Sequence, residues 1–420
     1  MICNDLLKMI PEKYKSKIIL ALGSNLGNRM QNIRDAISEI GKIAKIEVNS
    51  VVFETEAILQ NGSPDEWNAP FLNMVMVIDS ELTAHELLRE LKNIEISLGR
   101  DLSAKRWAPR PIDIDILFYK SEEVNSADLI IPHEQIQNRA FIRSLLNFIG
   151  FRFADRDVNN YVPLKSIPLE PKFVAVVNVT PDSFSGGGMF SCNDDVLKQI
   201  VTYNNVGADI IEIGGQSTRP GATQIDASEE LSRIEEILDL TRSKDINIGV
   251  DTFYDNIAEI AIRKYGVKFI SDVKGAFSAK TLRVIADCGA KIAILFNHDS
   301  PDVVDDWYKN TINIAKKNGI RDEDIILDVR VGFGKTPFES WDMKAVITKF
   351  KKYPHKIMVG HSRKSFLQKL KMVDPAERDI QTLAISDSLI KLGVDYLRVH
   401  NLQIHTDFFS AKCAFEGFVA

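Results

Sequence analysis

From Lys172 onward the chain keeps a single beat: a short apolar run rich in Val and Ile, a polar or Gly-containing loop, then a segment with helical spacing. Eight such runs occur, "KFVAVVNV", "ADIIEIG", "NIGVDT", "VKFISDV", "KIAILFN", "DIILDV", "KIMVGHS" and "YLRVH". They are almost continuously apolar, as parallel strands covered on both faces must be. Segments such as "ASEELSRIEEILDLTRS" and "YDNIAEIAIRKYG" between them read as helices, several closed by Gly. Eight strand–helix units over residues 172–420 match the size and rhythm of a (β/α)8 TIM barrel. Such a barrel gathers functional groups at the C-terminal ends of its strands. The runs end in Asn178, Glu212, Asp251, Asp272, Asn297, Asp328, His361 with Arg363 and Lys364, and Arg398 with His400. One such residue says only that a loop begins; the whole set predicts a binding rim.

A chain of 420 residues is too long for one ordinary core. Before residue 165 the beat is absent. "KSKIILALGS", "KIEVNSVVFET", "FLNMVMVID" and "RPIDIDILFY" read as strands, and "MQNIRDAISEIGK" and "TAHELLRELKNIEISLG" as helices. Strands outnumber helices, which predicts an α+β domain, of ferredoxin-like type, with helices on a partly antiparallel sheet. The expected division is an extension at 1–16, this domain at 17–160, a Pro-containing linker at 161–171 and the barrel at 172–420.

A hydrophobic fraction of 45% and a charged fraction of 26% are those of a globular protein. A net charge of -6 gives no basic footprint for nucleic acid, and no apolar run is long enough to span a bilayer. Cys3, Cys192, Cys288 and Cys413 form no close pairs of the metal-binding or redox kind, and the N-terminus lacks a signal-peptide core. A cytoplasmic location is expected.

Within "RWAPRPIDIDILF", alternation of Ile112, Ile114 and Ile116 with Asp113, Asp115 and Leu117 predicts a strand with both carboxylates on one face. Like charges so placed repel unless something positive lies between them. Oxygen ligands alone suit a hard cation such as Mg2+ that completes its shell with water and phosphate. Arg100, Arg106 and Arg110 lie where they can hold phosphate oxygens through paired N–H donors. An isolated "DID" would read as a surface strand whose acids pair with neighbouring arginines.

The wider context is more specific. "ALGSNLGN" at 21–28, "FLN" at 71–73, "GRDLSAKRWAPRPIDIDIL" at 99–117 and "IPHEQIQNRAF" at 131–141 resemble, in order and spacing, the signatures of 6-hydroxymethyl-7,8-dihydropterin pyrophosphokinase. That resemblance implies transfer of a pyrophosphoryl group from ATP to the hydroxymethyl of the pterin, with release of AMP. It implies Asp113 and Asp115 as ligands of two Mg2+, Arg100, Arg110 and Arg139 as phosphate contacts, and His133 as part of the ATP site. Phe71 and Phe141 match the aromatic pair that sandwiches the pterin, and Asn73 a partner for its edge.

"NVTPDSFSGGG", "GGQSTRPGA", "VDT", "LDVRVGFGKT", "VGHSRKSF" and "LRVH", which follow or close barrel runs, together resemble dihydropteroate synthase. The reaction implied is displacement of pyrophosphate from the pterin pyrophosphate by p-aminobenzoate, the step after the first. The resemblance implies Asn178 as ligand of one Mg2+, and Arg398 and His400 as pyrophosphate contacts. It implies Asp251, Asp328 and Lys364 in the pterin pocket, Ser217, Thr218, Arg219 and Ser365 at the p-aminobenzoate site, and Phe184 as a lid. A homodimer through the barrel is also expected from it, with no nucleic-acid or membrane partner.

The departures from the two patterns are specific. Leu102 replaces a loop arginine, implying a weaker grip on phosphate, and Ala108 a glycine. In the barrel, Gly186 replaces Asp, Glu212 and Gln216 replace Asp and Glu, "LFNHDS" replaces a Met-His pattern, and Ser271 replaces a pterin-contacting Asn that Asp272 is placed to cover. Two alternatives follow: a degenerate barrel that only binds pterin or promotes assembly, and a methyl-transferring pterin barrel, against which the intact "SRK" and "RVH" argue. "GFGKT" at 332–336 is not a Walker A loop, because the first Gly of that motif would fall at Val329.

Overall fold

The computed structural model describes all residues but 1–2, 60–61, 102, 106, 180–192, 217–223, 274, 276, 299, 330, 332–341, 370–373 and 420. The chain forms two compact units: Met1–Leu169 with Thr406–Ala420, and Glu170–His405. No helix among the described residues is long and apolar enough to cross a membrane.

The first unit is an antiparallel sheet with helices on both faces. After α1 (Cys3–Lys8) come β1 (Ile18–Ser24), α2 (Arg29–Ile43), β2 (Lys45–Asn49), β3 (Val52–Thr55), β4 (Phe71–Asp79), α3 (Ala84–Ser97) and β5 (Asp113–Tyr119). β6 (Val124–Asn125), β7 (Ile130–Ile131), α4 (Gln135–Asn138), α5 (Ala140–Phe148), α6 (Arg156–Asn160) and β8 (Lys165–Ile167) follow. The sheet order is β5-β1-β4-β3-β8, with β2 also on β4. The last main strand lies beside the first, with a hairpin on the far side, which is the expected ferredoxin-like plan. Period-two alternation divides the core. Ile18, Leu20, Met74, Met76, Ile114 and Ile116 face Ile33, Ile40, Leu87 and Leu91 of α2 and α3. Ile19, Val75, Val77 and Leu117 face Ile142, Leu145 and Leu146 of α5.

The unit is larger than its sequence boundaries suggested. Leu6, Ile10 and Tyr14, from the expected extension, are buried in the α5-side core. Within the expected linker, β8 pairs antiparallel with β3, because Lys165, Ser166 and Ile167 meet Glu54, Phe53 and Val52 in register. The end of the expected barrel also belongs here: Ser410 Oγ donates to Ser166 O at 2.7 Å and Cys413 packs against the same core.

The second unit is a closed barrel of eight parallel strands. They are β9 (Lys172–Asn178), β10 (Ile210–Gly214), β11 (Ile248–Thr252), β12 (Phe269–Asp272), β13 (Lys291–Leu295), β14 (Ile325–Val329), β15 (Lys356–Val359) and β16 (Tyr396–Val399), one for each predicted run. The helix read in "ASEELSRIEEILDLTRS" is Ala227–Arg242, capped by Asp226 accepting from Ser228 and Glu229 N–H. The helix in "YDNIAEIAIRKYG" is Asp255–Tyr265, ended by Gly266 in the left-handed conformation. Val174, Ile210, Phe269, Ala293, Ile326, Met358 and Tyr396 form an apolar layer. Two residues further along come Glu212, Ser271, Asp328 and Arg398, with Val176, Leu295 and Gly360 between them. The pleat therefore places a polar layer directly above the apolar one, toward the C-terminal rim.

Candidate active sites

In the first unit the site lies on the α5 side of the sheet, where three neighbouring strands carry it in one row. Gly23 of β1 is in register with Asn73 of β4 on one side and Asp113 of β5 on the other, and Ala21 is paired with Asp115. Small residues on the central strand leave room for ligand between the polar groups of the outer two. A Cβ at Gly23 would stand 3.0 Å from Asn73 Oδ1 and 3.7 Å from the Phe71 ring. The cavity here measures about 320 Å3, and its lining includes Phe71, Asn73, Phe141, Arg100, Arg110, Asp113, Asp115, His133 and Arg139. The sequence-predicted site residues of this unit that the structure describes therefore converge.

The two aspartates are electrostatically unequal. Burial pushes Asp113 up, but Arg110, Lys92 and Arg100 outweigh it and hold its carboxyl below the usual range. Arg100 Nη1 donates to Asp113 Oδ1 at 2.7 Å, and Arg110 Nη1 lies 3.2 Å from the same oxygen. Asp115 is pushed up by burial and by the neighbouring Asp113 charge, with His133, Lys92 and Arg139 opposing. The positive charge that the adjacent acids require is thus concentrated on one of them. The loop bearing Arg110 is tied at its base: Arg110 N donates to Asn25 Oδ1 at 2.9 Å and Asn25 N to Arg110 O at 3.2 Å. Trp107, with φ of 77°, lines the cavity from this loop. Leu102 and Arg106 lie outside the described residues.

Sequence reasoning missed Glu95. It is fully buried on α3, accepts from Ile114 N at 2.7 Å and Lys92 Nζ at 2.7 Å, and pairs through its other oxygen with Arg100 Nη1. The signal was present, since Leu87, Leu91 and Glu95 are four apart and an acid in a helix's apolar stripe needs a partner. Lys92, Thr55 and Trp67 also line the cavity.

In the barrel, Asn178, Gly214, Asp251 and Ser271 form a row at the ends of four consecutive strands. Below and across lie Asp328 and Arg398, with Arg398 Nη2 2.8 Å from Asp328 Oδ2. A Cβ at Gly360 would come within 2.8 Å of Arg398 Nε and Nη2, so only glycine leaves space for this guanidinium. Burial pulls Arg398 down, but Asp328, Glu212 and Asp251 outweigh it and keep it cationic. Burial pushes Asp251 up to about 8, with the Glu212 charge adding to it. Asp328 is pushed up to about 6 by burial, against the pull of Arg398. Asp251 Oδ1 and Asp328 Oδ1 are buried without a hydrogen-bond partner among the described residues, which leaves two acceptors for a ligand's N–H groups.

The remaining barrel residues divide into rim and anchor. His400 N and Nδ1 lie 3.2 and 3.0 Å from Ser362 Oγ, and Lys364 acts on Asp328 through its charge. Ser365 is exposed at the start of a short 3-10 turn, Ser365–Lys369. Asp272, expected as cover for the missing Asn, accepts from Gly275 N at 2.8 Å and Phe277 N at 3.1 Å. Gln216, its amide set by its neighbours, donates to Glu230 Oε2 at 3.3 Å. Phe184, Gly186, Ser217, Thr218, Arg219 and the "GFGKT" segment lie outside the described residues.

The family of 7,8-dihydro-6-hydroxymethylpterin-pyrophosphokinases matches residues 19–150, and that of pterin binding enzymes matches residues 174–400. A folate synthesis bifunctional protein from Chlamydia caviae is 32% identical, over 94% of this chain and 97% of the relative. The chain belongs to the bifunctional folate-synthesis family. Among solved structures, a dihydropteroate synthase from Clostridium difficile, determined in the presence of pteroic acid, is 33% identical with a TM-score of 0.54, covering 58% of this chain and 95% of that one. One from Anaplasma phagocytophilum with bound 6-hydroxymethylpterin-monophosphate is 31% identical with a TM-score of 0.51, covering 59% and 98%. These neighbours favour a working synthase barrel over a degenerate one.

Proposed function

We infer that the chain catalyses two consecutive steps of folate synthesis. The first is Mg-dependent transfer of pyrophosphate from ATP to 6-hydroxymethyl-7,8-dihydropterin, with release of AMP. The second is condensation of the pterin pyrophosphate with p-aminobenzoate to give 7,8-dihydropteroate and pyrophosphate. The observation that carries this reading is the pair of acid-and-base constellations, one per compact unit, beside the two family matches.

In the first unit, Phe71 and Phe141 stack the flat pterin and Asn73 reads its edge, while Arg100, Arg110, Arg139 and His133 hold the triphosphate. Pyrophosphoryl transfer needs alignment of the hydroxymethyl oxygen with the β-phosphorus and neutralisation of charge. The donor set suits Mg2+: Asp113 and Asp115 offer only oxygen, and among the described residues no cluster of three acidic, His or Cys donors forms. Asp113 and Asp115 would hold two Mg2+, with water and ATP phosphates supplying the remaining oxygen ligands. Bound Mg2+ supplies charge neutralisation at the phosphates.

In the barrel, Asp251 and Asp328 accept from the amino and ring N–H groups of the pterin, and Lys364 donates to its carbonyl side. Arg398 and His400 contact the leaving pyrophosphate, Asn178 would hold one Mg2+, and Ser217, Thr218, Arg219 and Ser365 hold p-aminobenzoate. The carbon attacked is attached to an electron-rich ring, so its bond to pyrophosphate breaks ahead of amine attack, and stabilising the leaving group is the main task. Purified protein given ATP, Mg2+, hydroxymethyldihydropterin and labelled p-aminobenzoate is expected to form labelled dihydropteroate. AMP without dihydropteroate, even from supplied pterin pyrophosphate, would reject the synthase half.

A further inference from the structure

Two of the barrel substitutions meet each other. Ser271 Oγ donates to Glu212 Oε1 at 2.5 Å, although Glu212 is on β10 and Ser271 on β12. The intervening strand allows this because its residue in register with Glu212 is Gly249. A Cβ there would point inward, within 2.8 Å of the Phe269 ring and 3.0 Å of Ile210 Cγ2. Glu212 thus extends past a position with no side chain. Its carboxylate also lies 3.5 Å from Arg398 Nη1, and Arg398 Nη2 is bonded to Asp328. A continuous buried path runs Ser271, Glu212, Arg398, Asp328.

We propose that Glu212 and Ser271 are a length-matched positioning pair that sets Arg398 against Asp328 and so shapes the floor of the pterin pocket. An Asp at 212 would be shorter by one methylene, about 1.5 Å, which takes the contact with Ser271 beyond hydrogen-bonding range. An Asn at 271, facing the present Glu212, would collide with a carboxylate already at 2.5 Å. A short acid with a long amide donor restores the contact from the other side. The two positions are therefore coupled, and exchange of either alone disturbs Arg398. This proposal rests on the synthase reading of the barrel.

The test is a double-mutant cycle in the full chain with Glu212→Asp, Ser271→Asn and both together, measuring KM for pterin pyrophosphate, kcat, and binding of pterin pyrophosphate by calorimetry without p-aminobenzoate. Each single change is expected to raise KM and Kd about tenfold, and the double variant to return within about threefold of the parent. Ser271→Ala, which removes the hydroxyl at nearly constant volume, should raise KM like the other singles. Unchanged singles, a double variant about a hundredfold weaker, or losses confined to kcat would overturn the pair. A parent that binds pterin pyrophosphate but forms no dihydropteroate would reject the proposed reaction while the binding cycle still judges the pair. A parent that does not bind it would overturn both.

Discussion

At the scale of single residues, the two sites handle crowded carboxylates differently. The first gathers arginines around Asp113 and lets Asp115 rise; the barrel buries Asp251 and Asp328 around the Arg398 guanidinium. The barrel arrangement has a pH signature. Asp251 titrates near 3.8 when unfolded and is pushed up to about 8 in the fold by burial and the Glu212 charge. The folded state holds that proton more tightly, so its contribution to stability is complete below the unfolded value and is lost as pH rises through about 8. Asp328, pushed up to about 6, has the same sign over a lower window. Asp251→Asn is therefore expected to flatten the fall in thermal midpoint between about pH 5 and about pH 8, compared with the parent. Equal slopes in the two proteins would count against a protonated Asp251. Gly360→Ala offers a test without titration: its new Cβ would strike Arg398, and condensation should fall by about tenfold or more, read as KM and kcat for pterin pyrophosphate.

At the scale of elements, α3 shows how a helix can be both a packing element and a support for chemistry. Thr83 and Glu86 form a capping box at its start, and Leu87, Leu91 and Ile94 face the sheet. Glu95 interrupts that stripe to bond β5 through Ile114 N and to brace Arg100. Glu95→Ala would leave a buried N–H and one side of Arg100 unpaired, at a cost of about 2–4 kcal/mol in urea unfolding. Glu95→Gln, which keeps an acceptor for Ile114, should lose less, and both should lower AMP release because Arg100 is no longer braced. Stability unchanged in both variants would show that the bond contributes nothing net. The helix itself was legible from its spacing and cap. Glu95's role was not, because a sequence shows an acid in an apolar stripe without showing which strand amide and arginine meet it. The eight barrel strands were legible for the opposite reason: near-continuous apolar runs in parallel sheets are set by burial on both faces, which any sequence must satisfy locally.

At the scale of the whole molecule, domain edges were the least legible feature. β8 lies in a Pro-containing stretch, "VPLKSIPLEP", and the residues of the last helix from Thr406 onward belong with the first unit; both depend on contacts far away in sequence. The pairing of Ser271 with Glu212 was invisible for the same reason, although each was visible as a departure. The two constellations nonetheless fall in separate compact units with separate cores, so the two proposed half-reactions draw on different side chains. Asp113→Ala should lower AMP release by about a hundredfold yet leave condensation of supplied pterin pyrophosphate intact. Lys364→Ala should do the reverse, releasing AMP while pterin pyrophosphate accumulates. If the intermediate leaves one unit and diffuses to the other, an equimolar mixture of the two variants, given ATP, Mg2+, hydroxymethyldihydropterin and p-aminobenzoate, must form dihydropteroate well above the sum of what each makes alone. The rate should start with a lag that shortens as protein concentration rises, since the shared intermediate has to build up in solution. A mixture that stays inactive while each variant retains its own half-reaction would show that the intermediate does not pass through solution.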